Sequence, residues 1–249
     1  MEVIVLGSSG SWPSAGRATS GYLVAHEGFN FWIDLGTGTL ARLQEHMAHP
    51  DVHAALVTHA HPDHYVDLHV LFYARFFHPE PLPPLPLFMP PGAFDLISCT
   101  LPERTVEAMR ETFDVREVEP GSSLEAGPLK VETRPMHHNL TTLGLRLQAN
   151  REVLAYTGDT GPTDEIAVIA RDADLLLSEA TYLEKDPRAP LHLSARQAGE
   201  FAARSGVGRL ALTHIWPTVD PEAALSAARE VFEGEVTTAA EGLRLNTRS

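Results

Sequence analysis

The segment HAHPDH, residues 59–64, places three histidines and one aspartate within six positions, directly after the apolar run VHAALVT. Neutral imidazole and carboxylate groups are the ligands that Zn²⁺, Mn²⁺ and iron accept. His59 and His61 are two residues apart, so in an extended loop that leaves a strand their side chains can converge with Asp63 and His64. Surface loops rarely gather so many polar side chains at a strand end. The spacing therefore predicts a metal centre.

Further candidate ligands follow three later apolar segments. His137 and His138 end the segment RPMHH, Asp159 lies in YTGDT, and His214 ends ALTH. The carboxyl ends of strands in a layered α/β fold form one crevice, so these residues are expected to meet the HAHPDH cluster there. A single histidine is more often structural, but the repeated pattern of apolar strand followed by His or Asp favours one shared site.

The elements that must position these residues alternate along the chain, which fits an α/β fold in a single domain over residues 1–249. Ser194 with Gln197 forms a capping-box signature, and Asp220 before Pro221 predicts a capped helix start. Strands are predicted at EVIVLG, GYLVAH, NFWID, VHAALVT, LPLFM, LKVETRPMHH, LGLRLQAN, EVLAYTG, DLLLSEA and RLALTH. Helices are predicted at TGTLARLQEHM, TDEIAVIARDA, SARQAGEFAARSG and DPEAALSAAREVF.

The charge balance limits the partners. The chain has 19 Lys plus Arg against 33 Asp plus Glu, a formal net charge of −14. Long nucleic acid is disfavoured, because such partners gain most of their affinity when Lys and Arg neutralise phosphates. A small anionic substrate remains compatible, since bound divalent cations offset negative charge locally.

The chain also lacks the marks of a secreted or membrane protein. Its lone Cys99 excludes an internal disulfide and a thiolate zinc cluster. No run of about 18 uninterrupted apolar residues occurs, and the N-terminal segment has no basic flank. We therefore expect a cytoplasmic protein without membrane association, and the sequence is compatible with a homodimer.

With its HxHxDH signature, the chain resembles the metallo-β-lactamase superfamily over nearly its whole length. The segment IDLGTG, which contains Asp34, the later histidine, the GD of YTGDT and the final LTH also match. The resemblance implies a four-layer αββα sandwich with two divalent ions between the sheets, Zn²⁺ in the first place and Mn²⁺ or iron as alternatives. It implies that Asp34 lies behind the ligands. The implied ligands are His59, His61 and His138 for one ion, Asp63, His64 and His214 for the other, and Asp159 as the bridge.

The resemblance also decides between two adjacent histidines. In phosphodiesterase-like members the ligand histidine lies six residues before a glycine or alanine that opens the next strand. Gly144 has that spacing from His138 and not from His137. His138 is therefore the expected ligand, and His137 is expected to pack as its neighbour.

The segment LLLSEATYLEKDPRAPLHLSARQAGEFA resembles the ribonuclease Z-like phosphodiesterase branch, in which an EAT after a strand is followed by HxSA at a helix start. The resemblance implies that Glu179 orients His192, that His192 protonates the leaving oxygen, and that Asp63 orients the nucleophile. An imidazole with a pKa near 6.5 suits proton transfer at neutral pH. A histidine that only packs on a loop at the helix start is the alternative.

The chain departs from true ribonuclease Z. The tRNA-processing enzymes carry a basic arm between the third-motif histidine and the GD motif, whereas His138 and Asp159 are separated here by only two predicted strands and a turn. The missing arm and the negative charge favour a small phosphodiester, such as a cyclic nucleotide, as substrate. An arm-less tRNA 3′-processing endonuclease and a non-catalytic metal-binding scaffold are the alternatives.

One further loop, GSSGSWPS from Gly7 to Ser14, follows the first predicted strand. Its backbone N–H groups could bind an anion if the loop passes close to the site. A tight glycine turn between two strands explains the loop equally well.

Overall fold

The computed structural model describes residues 1–184 and 190–247. Within these ranges the chain forms fourteen strands: β1 Glu2–Gly7, β2 Gly21–His26, β3 Phe29–Ile33, β4 Ala54–Leu56, β5 Leu85–Met89, β6 Phe113–Glu117, β7 Ser123–Ala126, β8 Leu129–Pro135, β9 Leu143–Ala149, β10 Glu152–Tyr156, β11 Leu175–Glu179, β12 Arg209–Thr213, β13 Glu235–Thr238 and β14 Arg244–Asn246.

Seven α-helices and one short 3₁₀ turn, His49–Asp51, lie between these strands. The helices are α1 Thr39–Leu43, α2 Pro62–Phe76, α3 Ala93–Ser98, α4 Glu103–Thr112, α5 Glu165–Ala170, α6 Ala195–Arg204 and α7 Pro221–Arg229. Across the described ranges, no helix combines the length and the apolar character that crossing a bilayer requires.

The strands form two seven-stranded mixed sheets. The first has the order β14-β1-β2-β3-β4-β5-β6, and its strands β3 to β6 are parallel. The second has the order β13-β12-β11-β10-β9-β8-β7, and its strands β10 to β13 are parallel. Strand β8 runs in the same direction as β10, because both are antiparallel to β9. Residues that follow β8, β10, β11 and β12 therefore emerge at one edge of the second sheet.

Successive side chains of the central strands face alternately the core between the sheets and the helices outside them. Phe31 and Ile33 of β3 lie in the apolar core that also contains Leu145 and Leu154 of the second sheet. Trp32, between them, faces the opposite side and packs in the cluster that includes helices α1 to α4. Helices α5 to α7 pack in the same way on the outer face of the second sheet. Both sheets are thus covered on both faces, as parallel strands require, and the predicted four-layer αββα sandwich is confirmed.

Most predicted elements are present with small differences at their ends. All ten predicted strands form, and Ser194 makes the predicted capping box with Gln197. Asp220 caps α7, where its side chain accepts a hydrogen bond from the N–H of Glu222. Helices α1 and α5 are shorter than predicted, at five and six residues.

The HAHPDH segment differs from the predicted extended loop. It is extended only as far as His61, whose φ of −85° and ψ of 143° make it the N-cap of α2. Pro62 then starts the helix, because its fixed φ suits the first helical turn and its missing N–H would have had no partner there. Asp63 and His64 consequently project from the first turn of α2, and this helix was not predicted.

We expect the Phe31→Ala substitution to lower the free energy of unfolding by about 3–5 kcal/mol, because Phe31 is fully buried between the sheets and its loss leaves a cavity. The matched substitution Phe77→Ala removes a side chain that is 72% exposed, and should change the free energy of unfolding by less than about 0.5 kcal/mol. Urea denaturation followed by circular dichroism measures both. Equal losses in the two variants would contradict the assignment of the core.

Candidate metal centre

All the candidate ligands lie just beyond the carboxyl ends of strands. The HAHPDH segment follows β4, and His138, Asp159 and His214 follow β8, β10 and β12. The two sheets face each other across the apolar core, so these ends meet at one edge of the sandwich. The expectation that sequence-distant ligands share one crevice agrees with this arrangement, and the ligand atoms fall into two overlapping groups.

Group one consists of His59, His61, His138 and Asp159, whose ligand atoms all lie within 4.8 Å of one another. Nδ1 of His61 lies 3.0 Å from Nε2 of His59 and 3.1 Å from Nε2 of His138. Nitrogen ligands about 2.0–2.1 Å from a tetrahedral Zn²⁺ are separated by roughly 3.3 Å. The three imidazoles therefore have a separation close to that of ligands on one ion.

Group two consists of Asp63, His64, Asp159 and His214, again within 4.8 Å. Nε2 of His214 lies 3.2 Å from Oδ2 of Asp63 and 3.4 Å from Oδ2 of Asp159. Nε2 of His64 lies 3.6 Å from Oδ2 of Asp63. Asp159 is the one residue that belongs to both groups, so its carboxylate lies between them.

Buried Asp34 fixes the proton positions of two histidines. Its Oδ2 accepts a hydrogen bond of 2.8 Å from Nδ1 of His64. The Thr58 hydroxyl donates to the same carboxylate at 3.0 Å, so at 3.1 Å it accepts from Nδ1 of His59. The Tyr156 hydroxyl is a third side-chain donor, at 2.9 Å, and the Thr58 backbone N–H donates at 2.8 Å. Because Nδ1 carries the proton in both histidines, their Nε2 atoms present lone pairs to the centre, as in other carboxylate–histidine–metal arrangements.

Glu179 fixes the proton position of His214, which follows strand β12 of the second sheet. Thr181 donates its hydroxyl proton to Oε2 of Glu179 at 2.7 Å and accepts from Nδ1 of His214 at 2.9 Å. His138 has a carbonyl partner instead, the oxygen of Leu191, which lies 3.2 Å from its Nδ1 and can only accept. The Nε2 atoms of His214 and His138 are thereby left free to coordinate.

Two buried atoms at the middle of the centre test whether a cation fits. Nε2 of His64 and Oδ1 of Asp159 lie 3.2 Å apart, yet neither has a hydrogen-bond partner. With the His64 proton on Nδ1, two lone pairs face each other, which is unfavourable in a buried site unless a second proton or a metal ion lies between them. The donor set, imidazole nitrogen and carboxylate oxygen, suits a divalent transition ion.

The pKa shifts of the histidines in the centre are compatible with metal binding. Burial lowers the pKa of His59, His61 and His138, so these imidazoles are neutral at pH 7, the form that binds metal. Burial alone would also lower the pKa of His64, but the charges of Asp159 and Asp34 raise it well above its ordinary value. A proton and a metal ion therefore compete for the same Nε2 lone pair.

A third cluster, Glu179 with His192 and His214, also lies within 4.8 Å, but hydrogen bonds account for it. Nδ1 of His192 lies 3.1 and 3.2 Å from the two oxygens of Glu179. The same oxygens accept from the Thr181 hydroxyl and from the N–H groups of Thr160 and Leu193. A carboxylate has about four lone-pair sites, so Glu179 has none left for an ion.

His192 lies against the rings of His138 and His214 in the centre. Its ring is stacked on His214 with centroids 5.5 Å apart, and 14% of its side chain is exposed. Burial alone would lower its pKa, but the charge of Glu179 and the hydrogen bond to it raise the pKa of His192 to about 9. The geometry expected from the EAT and HxSA pattern is therefore present, although residues 185–189 between the two motifs lie outside the described ranges.

Other positions around the centre were not all predicted. His137 belongs to neither group, and its backbone N–H donates to the Thr160 hydroxyl. Thr58 and Thr181, which relay hydrogen bonds to candidate ligand histidines, were not predicted as site residues. Each lies within one or two residues of a predicted site residue. The GSSGSWPS loop does approach the centre, but the N–H of Ser11 donates to Oδ2 of Asp63 at 2.9 Å.

Comparison with known proteins assigns this centre to a family. A family model described as a β-lactamase superfamily domain matches residues 29–215. The chain belongs to the β-lactamase superfamily. An uncharacterised protein of Mycobacterium leprae is 35% identical over 97% of this chain and 87% of its own length. The probable metallo-hydrolase YhfI of Bacillus subtilis is 29% identical over 97% of this chain and 98% of its own, and a ribonuclease Z of Mycolicibacterium gilvum is 29% identical over 89% and 86%.

Solved structures agree with this assignment. The crystal structure of B. subtilis YhfI, a metallo-β-lactamase fold protein, superposes with a TM-score of 0.89 at 26% identity and covers 98% of this chain and 99% of its own. Human tRNase Z, short form, has a TM-score of 0.78 at 22% identity over 100% of both chains, which shows the shared fold. This superfamily member is thus a metallo-hydrolase of the β-lactamase fold with a His/Asp cluster able to bind metal ions.

We expect the Asp34→Asn substitution to lower Zn²⁺ affinity by about 10- to 100-fold, because the carboxylate that holds Nδ1 of His64 and Thr58 is lost. Asn is nearly isosteric and tolerates the left-handed φ of 55° at this position. Competition with a chromogenic chelator measures the affinity. Asp114→Asn, at an exposed ion pair with Arg116, is the control, and unchanged Zn²⁺ affinity in Asp34→Asn would refute the orienting role.

Proposed function

We propose that the chain is a two-metal phosphodiesterase that cleaves a small phosphodiester, such as a cyclic nucleotide. The observation that carries the proposal is that Asp159 belongs to both groups of ligand atoms while His192, held by Glu179, faces them. Two adjacent cations with a proton donor beside them suit in-line displacement at phosphorus.

The residues of group one would hold one ion and those of group two the other, with Asp159 shared. Divalent ions in these groups would supply Lewis-acid chemistry, polarising a phosphoryl group and lowering the pKa of a water molecule. Zn²⁺ suits the imidazole-rich donor set best, with Mn²⁺ and iron as alternatives. Asp63 is fixed at Oδ2 by the N–H of Ser11, and its carboxylate also orients the attacking water.

His192 protonates the departing oxygen. Its Nδ1–H is held by Glu179 at 3.1 Å, which leaves Nε2 as the ring nitrogen that meets a substrate. The Tyr182 hydroxyl donates to the backbone oxygen of His192 at 2.7 Å and fixes the main chain there. An imidazole oriented by a carboxylate in this way is a suitable general acid.

The missing arm and the charge support a small substrate. Only β9 and β10 lie between His138 and Asp159, so this segment contains no inserted arm that could bind a tRNA. The net charge of −14 also opposes binding to a long polyanion. The similarity to a ribonuclease Z favours a second candidate, an arm-less tRNA 3′-processing endonuclease.

We expect the protein, reconstituted with Zn²⁺ or Mn²⁺ to two ions per chain, to cleave small phosphodiesters with a higher kcat/KM than pre-tRNA. The panel is a 3′,5′-cyclic nucleotide, an aryl phosphodiester, pre-tRNA and a thioester. A chelator should abolish turnover, and RNA binding should be undetectable at physiological salt, because few cations are available to neutralise phosphates.

Three results would contradict the proposal. A higher kcat/KM for pre-tRNA would favour the endonuclease, and preferred thioester cleavage would indicate a different hydrolase. Full metal loading without turnover on any substrate would favour a non-catalytic scaffold. Asp114→Asn, at the exposed ion pair with Arg116 on β6, is the control and should match the unmodified protein.

We expect His192→Ala to keep both ions and to lower turnover by about 10²- to 10⁴-fold for a substrate with a ribose leaving group. An aryl ester with an acidic phenol needs little protonation, so its turnover should change far less. The ratio of kcat values for the two substrates measures the difference. His137→Ala, next to ligand His138 but outside both groups, is the control; equal losses for both leaving groups, or loss of metal, would exclude a proton donor at His192.

A further inference from the structure

Trp12 is an exposed tryptophan on the loop that contacts the metal centre. It is 42% exposed, whereas tryptophan is usually well buried. The other large apolar side chains found exposed in the described ranges lie on α2, directly after it, or on α3: Val70, Tyr73, Phe76, Phe77 and Leu96. Trp12 is therefore set apart from that surface by its place on the loop after β1.

The loop is attached to the ligands themselves. The N–H of Ser11 donates to Asp63 at 2.9 Å, and the N–H of Gly10 donates to the Ile215 carbonyl at 3.2 Å. A Cβ atom on Gly10 would lie 2.4 Å from the carbonyl oxygen of His214, so only glycine permits this approach. Trp12 consequently follows directly after a residue that is hydrogen-bonded to a candidate ligand.

A row of aromatic rings continues from Trp12 toward the proton donor. Its ring centroid lies 5.9 Å from that of Trp216, at an angle of 41°, and Trp216 lies 6.1 Å from Tyr182. The indole N–H of Trp216 donates to the Ser11 hydroxyl at 3.0 Å, and Tyr182 contacts the His192 backbone. The row of rings thus runs from the loop that is hydrogen-bonded to Asp63 to the main chain of His192.

Hydrogen bonds hold the main chain of the loop that carries Trp12. The Ser9 hydroxyl donates to the Trp12 carbonyl at 2.7 Å. At the base of the loop, Oε1 of Glu241 accepts from the N–H groups of Ser8 at 3.2 Å and Ala18 at 3.1 Å. A rigid surface loses little conformational entropy when a ligand stacks on it.

From these contacts we infer that Trp12, supported by Trp216, is the surface on which the base of a nucleotide substrate stacks. The inference rests on the proposed phosphodiesterase function and names its substrate class: a phosphodiester that carries a planar nucleobase. Every nucleobase offers a π-face to an aromatic ring, and the adjacent ligand groups accommodate the phosphate. A single base with one phosphate also needs few cations from a chain of net charge −14.

A second candidate position for the base of the substrate lies beside group one. A cavity of about 130 Å³ is lined by Ala60, Pro90, Leu96, Leu140 and their neighbours. It has no aromatic ring and no charged side chain among its lining residues, so it offers a base no π-face. The Leu96→Ala substitution tests this cavity directly.

The test compares Trp12→Ala with the unmodified, metal-loaded protein on adenosine 3′,5′-cyclic phosphate and on the base-free cyclic phosphodiester of 1-O-methylribose. We expect KM for the nucleotide to rise by about 5- to 150-fold, the range for one base–aromatic stack, with kcat nearly unchanged. KM for the base-free substrate should not change. Trp12→Phe should restore most of the nucleotide affinity, which a merely structural role would not predict.

A second measurement separates this inference from the proposed function. Calorimetric titration with adenosine 5′-monophosphate needs no turnover, and Trp12→Ala should weaken binding while Phe77→Ala and Leu96→Ala should not. If the unmodified protein cleaves no phosphodiester, the proposed function fails, yet a Trp12-dependent loss of nucleotide binding still supports the stacking surface. Equal KM changes for both substrates, unchanged nucleotide binding in Trp12→Ala, or a loss in Leu96→Ala alone would overturn the inference.

Discussion

Two fully buried carboxylates, Asp34 and Glu179, determine what the histidine cluster can do. A buried carboxylate is stable only when hydrogen-bond donors surround it, and here the donors include candidate ligand histidines, reached directly or through a threonine hydroxyl. Each such bond places the histidine proton on Nδ1 and turns the Nε2 lone pair toward the centre. The stability of two buried anions and the readiness of the cluster for a cation therefore depend on the same hydrogen bonds.

Each of these two carboxylates orients histidines that belong to its own sheet. Asp34, after β3, orients histidines that follow β4, its parallel neighbour. Glu179, the last residue of β11, orients His214 after the parallel neighbour β12 and also holds His192 before α6. Parallel pairing aligns the ends of adjacent strands, so residues distant in sequence need only short loops to meet.

Apolar alternation in the sequence marks the strands, and His or Asp directly after them marks the crevice. The four-layer sandwich was implied by the resemblance that the HxHxDH signature carries, and the assignment of these residues as ligands of two ions remains a prediction. The helical start of α2 was missed because HAHPDH shows no periodicity of its own and the proline only becomes a helix signal once His61 is known to be a cap. The roles of Thr58 and Thr181 were missed because a threonine near a strand end is common, and only three-dimensional contact shows the relay. A single domain, a cytoplasmic location and a homodimer remain predictions.

Each ligand group draws from both halves of the sandwich: His59, His61, Asp63 and His64 come from the first sheet and its helix, whereas His138, Asp159 and His214 come from the second. An ion in either group would be a covalent-like cross-link between the sheets at the open edge, where the apolar core ends. With Cys99 as its lone cysteine, the chain cannot make such a link by an internal disulfide. Binding of an ion would therefore also stabilise the fold against separation of the two sheets, because the ion would bind only the arrangement in which both sheets contribute ligands.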